Sequence, residues 1–103
     1  MTTYLQAYFP ETSPETLSAA GPVSVNTYMT YLKTTTENNI IVTLNDAGST
    51  LGQIKKLLFV ADGGGNVIIT SDLGNHNITL EDVGDYATFM WNGSIWRNIE
   101  LIN

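Results

Sequence analysis

The chain has 103 residues, a formal charge of −6 and no cysteine, so disulfides, thiol catalysis and cysteine-bound zinc are excluded. A single domain of this length buries roughly two thirds of its unfolded surface, enough for one modest core. Lys33, Lys55, Lys56 and Arg97 are the only fixed cations; such a chain lacks the clustered Lys and Arg that displace counterions from a phosphate backbone, which argues against nucleic acid as a partner. No apolar run approaches the roughly 18 residues of a membrane span, and no charged-then-hydrophobic leader opens the chain. The expectation is a soluble protein made in a cytoplasm, with no membrane partner. Thr, Asn, Ser and Gly are plentiful while charged residues make up 14%, a balance suited to strands and turns.

Residues 1–20 differ from the rest. Tyr4, Leu5, Tyr8 and Phe9 form an aromatic cluster ahead of Pro10 and Pro14, which rule out a continuous helix. A helix of under two turns from Ser13 to Gly21 would be marginal in water, so an extended arm is expected. Exposed aromatics on an arm need a surface to dock on, either the chain's own β domain or, as we expect, a neighbouring subunit or larger assembly.

From residue 21 to 103 the pattern is that of strands. Val23, Val25, Met29 and Tyr31 share one parity, the alternation of a half-buried strand. Tyr28 and Leu32 break it, through a second covered face or a bulge near Thr27. A polar loop (Thr34 to Asn39), a β run (Ile40 to Leu44) and a turn over 45–49 follow. Next come two apolar runs, Leu57 to Val60 and Val67 to Thr70, around Asp62-Gly63-Gly64-Gly65-Asn66. This reads as strand, tight reversal, strand. A phosphate-cradling loop is excluded, because no helix pattern follows the glycines and no Lys or Ser/Thr stands where such a loop needs it.

An internal echo appears: Thr43-Leu44-Asn45-Asp46-Ala47-Gly48 returns as Thr79-Leu80-Glu81-Asp82-Val83-Gly84. Each half has a strand ending in Thr-Leu, a turn on Asp-x-Gly, a larger apolar strand and a second turn, Asp62-Gly63 or Asn92-Gly93. Asn-Gly between β runs is a strong hairpin signal. Two such copies fall short of the three usually needed for an autonomous solenoid. Leu57 to Val60 and Phe89 to Trp91 are moreover apolar on both parities, and a strand with two apolar faces needs cover on both. An oligomer is expected to supply it, the alternative being a sandwich in which bulges reset parity.

Chemistry is sparse. His76 is the only histidine and sits in Gly74-Asn75-His76-Asn77, a turn; no Gly-x-Ser-x-Gly elbow is present. Asp62, Asp72, Glu81, Asp82 and Asp85 lie at turn positions where carboxylates have structural work, and the spacing of Glu81, Asp82 and Asp85 misses an EF-hand loop. The chain is read as no enzyme, with no cofactor and no metal. Tyr86, Trp91 or Trp96 beside amides offers the rival reading, a sugar site.

The order Ala20-Gly21-Pro22-Val23-Ser24-Val25, Gly52-Gln53-Ile54-Lys55-Lys56-Leu57-Leu58-Phe59, Gly63-Gly64-Gly65-Asn66-Val67-Ile68-Ile69-Thr70, Ile78-Thr79-Leu80-Glu81-Asp82-Val83-Gly84-Asp85 and Trp91-Asn92-Gly93-Ser94-Ile95-Trp96 resembles β-structured domains of small trimeric virion proteins of phages and other viruses, the fibre, spike and capsid-decoration class. The resemblance covers about four fifths of the chain, from Ala20 on. It implies strands wrapped about a threefold axis and an N-terminal portion that attaches to the particle. Receptor-binding members carry more distal sequence than this chain, which favours a decoration or cement protein, or a short fibre. The expected fold is all-β, a mostly antiparallel sandwich, barrel or prism assembled as an intertwined homotrimer. Tyr4, Leu5, Tyr8 and Phe9 would contact capsid or other virion proteins, and Leu58, Val60, Ile68, Phe89, Trp91 and Trp96 would form the trimer core. The alternative is a receptor- or glycan-binding module whose partner is a host surface glycan.

Overall fold

The computed structural model describes residues 14–45, 50–71 and 77–103. Among them the chain forms β1 (Glu15–Leu17), β2 (Gly21–Val23), β3 (Met29–Lys33), β4 (Ile40–Leu44), β5 (Ile54–Ala61), β6 (Val67–Ser71), β7 (Ile78–Leu80), β8 (Tyr86–Trp91) and β9 (Trp96–Ile102), with no helix. A five-stranded sheet runs in the order β1-β3-β5-β8-β9 and a four-stranded sheet in the order β2-β4-β6-β7. The all-β expectation holds. The mostly antiparallel arrangement does not: β1–β3, β3–β5, β2–β4 and β4–β6 pair parallel, and β5–β8, β6–β7 and β8–β9 antiparallel.

The parallel pairs arise because the chain passes from one sheet to the other after each of β1 to β5. The expected hairpin over Leu57 to Thr70 is therefore corrected. β5 and β6 lie in different sheets, and the glycine-rich segment arches between them. The apolar parity of Leu57 and Phe59 and that of Val67 and Ile69 then face one shared core. Residues 23–31 likewise hold two strands, β2 and β3, and the break at Tyr28 is a crossing between sheets. Asn92-Gly93 does close a hairpin, with Trp91 opposite Trp96 and the Asn92 Oδ1 accepting from the Ser94 and Ile95 amides.

The echo between 43–48 and 79–84 marks equivalent places in this path. β4 and β7 both end in the four-stranded sheet, and the chain then crosses to β5 and β8 in the other. A second repeat sets the stacking. Asn39-Ile40-Ile41-Val42-Thr43 lies in register beside Asn66-Val67-Ile68-Ile69-Thr70. Like sits on like: the Asn66 amide donates to Asn39 Oδ1 at 2.8 Å, and the Thr43 and Thr70 hydroxyls meet at 3.2 Å, each pair 27 residues apart.

The two arches also stack. The arch over 62–66 rests on the one over 34–39 through Thr34 N–H to Ala61 O (2.9 Å), Gly65 N–H to Thr36 O (2.9 Å) and Thr34 Oγ1 to Gly65 O (3.0 Å). Crowding at the glycines thus comes from the preceding turn of the same chain. A Cβ on Gly65 would lie 2.0 Å from the Asn38 carbonyl oxygen.

The core combines Val23, Val42, Leu44, Val67, Ile69 and Leu80 of the four-stranded sheet with Leu32, Leu57, Phe59, Ala87, Phe89, Trp91 and Trp96 of the other. Of the arm expected over 1–20, Tyr4, Leu5, Tyr8 and Phe9 lie outside the described residues, whereas Glu15–Leu17 form β1 and pair with β3.

Candidate functional site

β5 alternates strictly: Lys55, Leu57 and Phe59 turn into the core, and Ile54, Lys56, Leu58 and Val60 turn outward and are half-buried. Register extends this outer parity across the five-stranded sheet. One row reads Thr16, Tyr31, Leu58, Tyr86, Ile102, and the next reads Met29, Lys56, Thr88, Glu100. Ile54, Met90 and Arg97 form a third. The outcome is a largely apolar, aromatic-bearing sheet face, formed because these strands carry large side chains on both parities.

Its few polar groups are partly engaged with one another. Lys56 Nζ stands 4.0 Å over the Tyr86 ring, a cation–π contact of about 0.5–1 kcal/mol where exposed. Thr88 Oγ1 donates to Glu100 Oε1 at 3.3 Å. Desolvation, then the charge of the Glu100 carboxylate and its hydrogen bond to the phenol, raise Tyr86 above the usual tyrosine range.

The six residues expected to share a trimer core fall in three places. Leu58 and Val60 lie on this face. Ile68 lies on the outer face of the four-stranded sheet, beside Ile41 in the neighbouring strand. Phe89, Trp91 and Trp96 are inside the single chain, where the two indoles sit 5.5 Å apart and tilted at 54°. Parity made all six apolar candidates; which parity faced inward at each strand was decided by the crossings.

The same placement bears on the sugar reading. Trp91 is 7% exposed and Trp96 fully buried, so neither presents a face to a ring. The carboxylates hold turns: Asp62 Oδ1 accepts from the Gly64 amide at 2.8 Å, and Asp85 Oδ2 from the Glu81 and Asp82 amides at 3.0 Å each. Among the described residues no three of His, Cys, Asp and Glu gather into a metal-binding group. His76 and Asp72 lie outside the described residues.

Among the described residues one ionisable group is fully enclosed. Lys55 points inward from β5, and its Nζ donates to the Thr27 carbonyl (2.9 Å) and hydroxyl (2.6 Å). Glu15 of β1 lies within electrostatic reach and accepts from Ser24 N–H and Thr30 Oγ1, both at 2.9 Å. Burial lowers the Lys55 ammonium to about 8, against the opposing pull of Glu15. The folded state thus releases this proton more readily than the unfolded chain does, at 10.5. Below about pH 8 the buried charge costs on the order of 3 kcal/mol, and stability rises as the pH passes from about 8 toward 10.5. Lys55→Met removes the titrating group and is expected to flatten that rise. Urea titrations of both proteins across this window check it; an equal slope in the variant would assign the rise to another group.

Comparison of the chain with protein-family models, curated proteins and solved structures finds no match to any of them.

Proposed function

We propose that the chain is a non-enzymatic structural protein of a virion, a homotrimeric capsid-decoration or cement protein or short fibre. The observation that carries this reading is the outer face of the five-stranded sheet, where Tyr31, Leu58, Val60 and Tyr86 are only half-buried by their own chain. Three copies packing this face about a common axis, as an intertwined sandwich or prism, would remove it from water. At about 25 cal/mol per Å² such burial stabilises an assembly without any chemistry, although association entropy offsets much of the gain. Tyr4, Leu5, Tyr8 and Phe9 then serve as the particle contact. Several weak contacts held on one trimer act as a strong one.

The test is solution mass by light scattering, on the intact chain and on a chain lacking residues 1–13. Both should show a multiple of three copies, and Leu58→Glu should reduce that number while the far-ultraviolet spectrum stays that of the folded sheet. An intact chain of one or two copies rejects the trimer.

A further inference from the structure

β9 forms one edge of the five-stranded sheet, and after the buried Trp96 every one of its residues is exposed. Ile99, Leu101 and Ile102 are 53, 40 and 49% exposed, so half of the large exposed hydrophobics among the described residues sit on this one strand. Proteins guard such edges with Lys, Pro, bulges or a covering element. β9 has no Lys and no Pro, and its guard is a bulge, where Phe89 pairs with Asn98 and Thr88 with Glu100, leaving Ile99 unpaired.

The bulge has a second effect. Arg97 and Glu100 are three positions apart and would ordinarily point to opposite faces. The extra residue restores parity, so that Arg97, opposite Met90, and Glu100, opposite Thr88, both lie on the outer face. The Arg97 side chain makes no hydrogen bond or ion pair among the described residues, while Glu100 already receives the Thr88 hydroxyl and the Tyr86 phenol. A strand with opposite charges so spaced on one face is complementary to itself when reversed.

We propose that β9 is a seam between two copies of the chain, pairing antiparallel with β9 of a second copy in the register that sets Arg97 against Glu100 of the partner subunit. A twofold axis repeats each contact, as in any isologous interface. The charge pair therefore occurs twice, and Trp96 faces Leu101 of the partner subunit on the opposite side of the sheet. Edge carbonyls and amides gain partners, and the exposed apolar side chains of β9 gain cover. The two five-stranded sheets become one continuous sheet. The seam goes beyond the trimer reading, which uses the sheet face rather than its edge, and in an assembly containing both it would join one trimer to the next.

Charge reversal tests it. Arg97→Glu and Glu100→Arg each set like charges against each other twice, and each is expected to halve the mass seen by sedimentation equilibrium at one fixed concentration. The double variant Arg97→Glu/Glu100→Arg is expected to restore it. An equimolar mixture of the two single variants should do the same, because the charges then complement each other between unlike chains. The thermal transition of each variant checks that the fold is retained, and the mixture keeps the test valid if one variant alone is weakened. A wild-type mass of one or three copies overturns the seam, as do single reversals that leave the mass unchanged. A mass of two copies supports the seam and rejects the trimer; three copies does the reverse; six copies supports both.

Discussion

Gly65→Ala is expected to lower folding stability by about 3 kcal/mol or more, near the upper end for a single overpacked site. The added methyl would stand 2.0 Å from the Asn38 carbonyl oxygen and 2.5 Å from its carbon. Both are backbone atoms, which no rotamer change can move aside. Relief requires the two stacked arches to part, which weakens Gly65 N–H to Thr36 O and Thr34 Oγ1 to Gly65 O together, each worth about 1 kcal/mol net. Gly84→Ala is the control. Gly84 has a φ of +98° with nothing within 4 Å of an added Cβ, so alanine there meets only backbone strain of about 1–2 kcal/mol. Chemical denaturation of both variants separates crowding from strain. Equal losses at the two sites would mean that the arches do not stack as closely as described.

Trp96→Ala should cost about 3–5 kcal/mol, a large share of the 5–15 kcal/mol that holds a typical domain together. Trp96 is the first residue of β9 and the largest fully buried side chain. Its ring packs against Trp91, and its Nε1–H donates to the Asn45 carbonyl at 2.6 Å. That bond ties the start of β9 to the end of β4, in the opposite sheet. Removing the indole opens a cavity and leaves the carbonyl without this donor. Trp96→Phe keeps most of the packing and should lose about 1–3 kcal/mol through the unmet carbonyl. Thermal melts give the readout, with roughly 4–8 °C expected per kcal/mol in a domain near this size. If Trp96→Ala melted within a few degrees of the parent, this indole would not be the element that joins the sheets.

Much of the secondary structure follows from local chemistry. Ile40–Leu44, Ile54–Ala61, Val67–Ser71 and Tyr86–Trp91 are strands because β-branched and aromatic residues run between Asp, Asn and Gly turns. Asn92-Gly93 makes a hairpin because Gly93 adopts a φ of +97° and the Asn92 side chain accepts from the amides two and three residues on. The two-faced character of β5 was equally plain, and with it the outer sheet face. The seam on β9 was not legible, because a bulge is needed to bring Arg97 and Glu100 to one side.

That the chain is strands and turns, and which residues of β5 share a face, follows from local patterning, since period-two alternation and turn chemistry act within a few residues. Tertiary structure decided which strands became neighbours. Leu57 and Val67 look alike as apolar strand positions whether their strands lie side by side in one sheet or face each other across a core, and alternation carries no information about that choice. The choice was settled by hydrogen bonds between segments 27 residues apart, such as Asn66 N–H to Asn39 Oδ1. Once β5 and β6 are parted, Phe89, Trp91 and Trp96 turn into the chain's own core, while Leu58 and Val60 face outward.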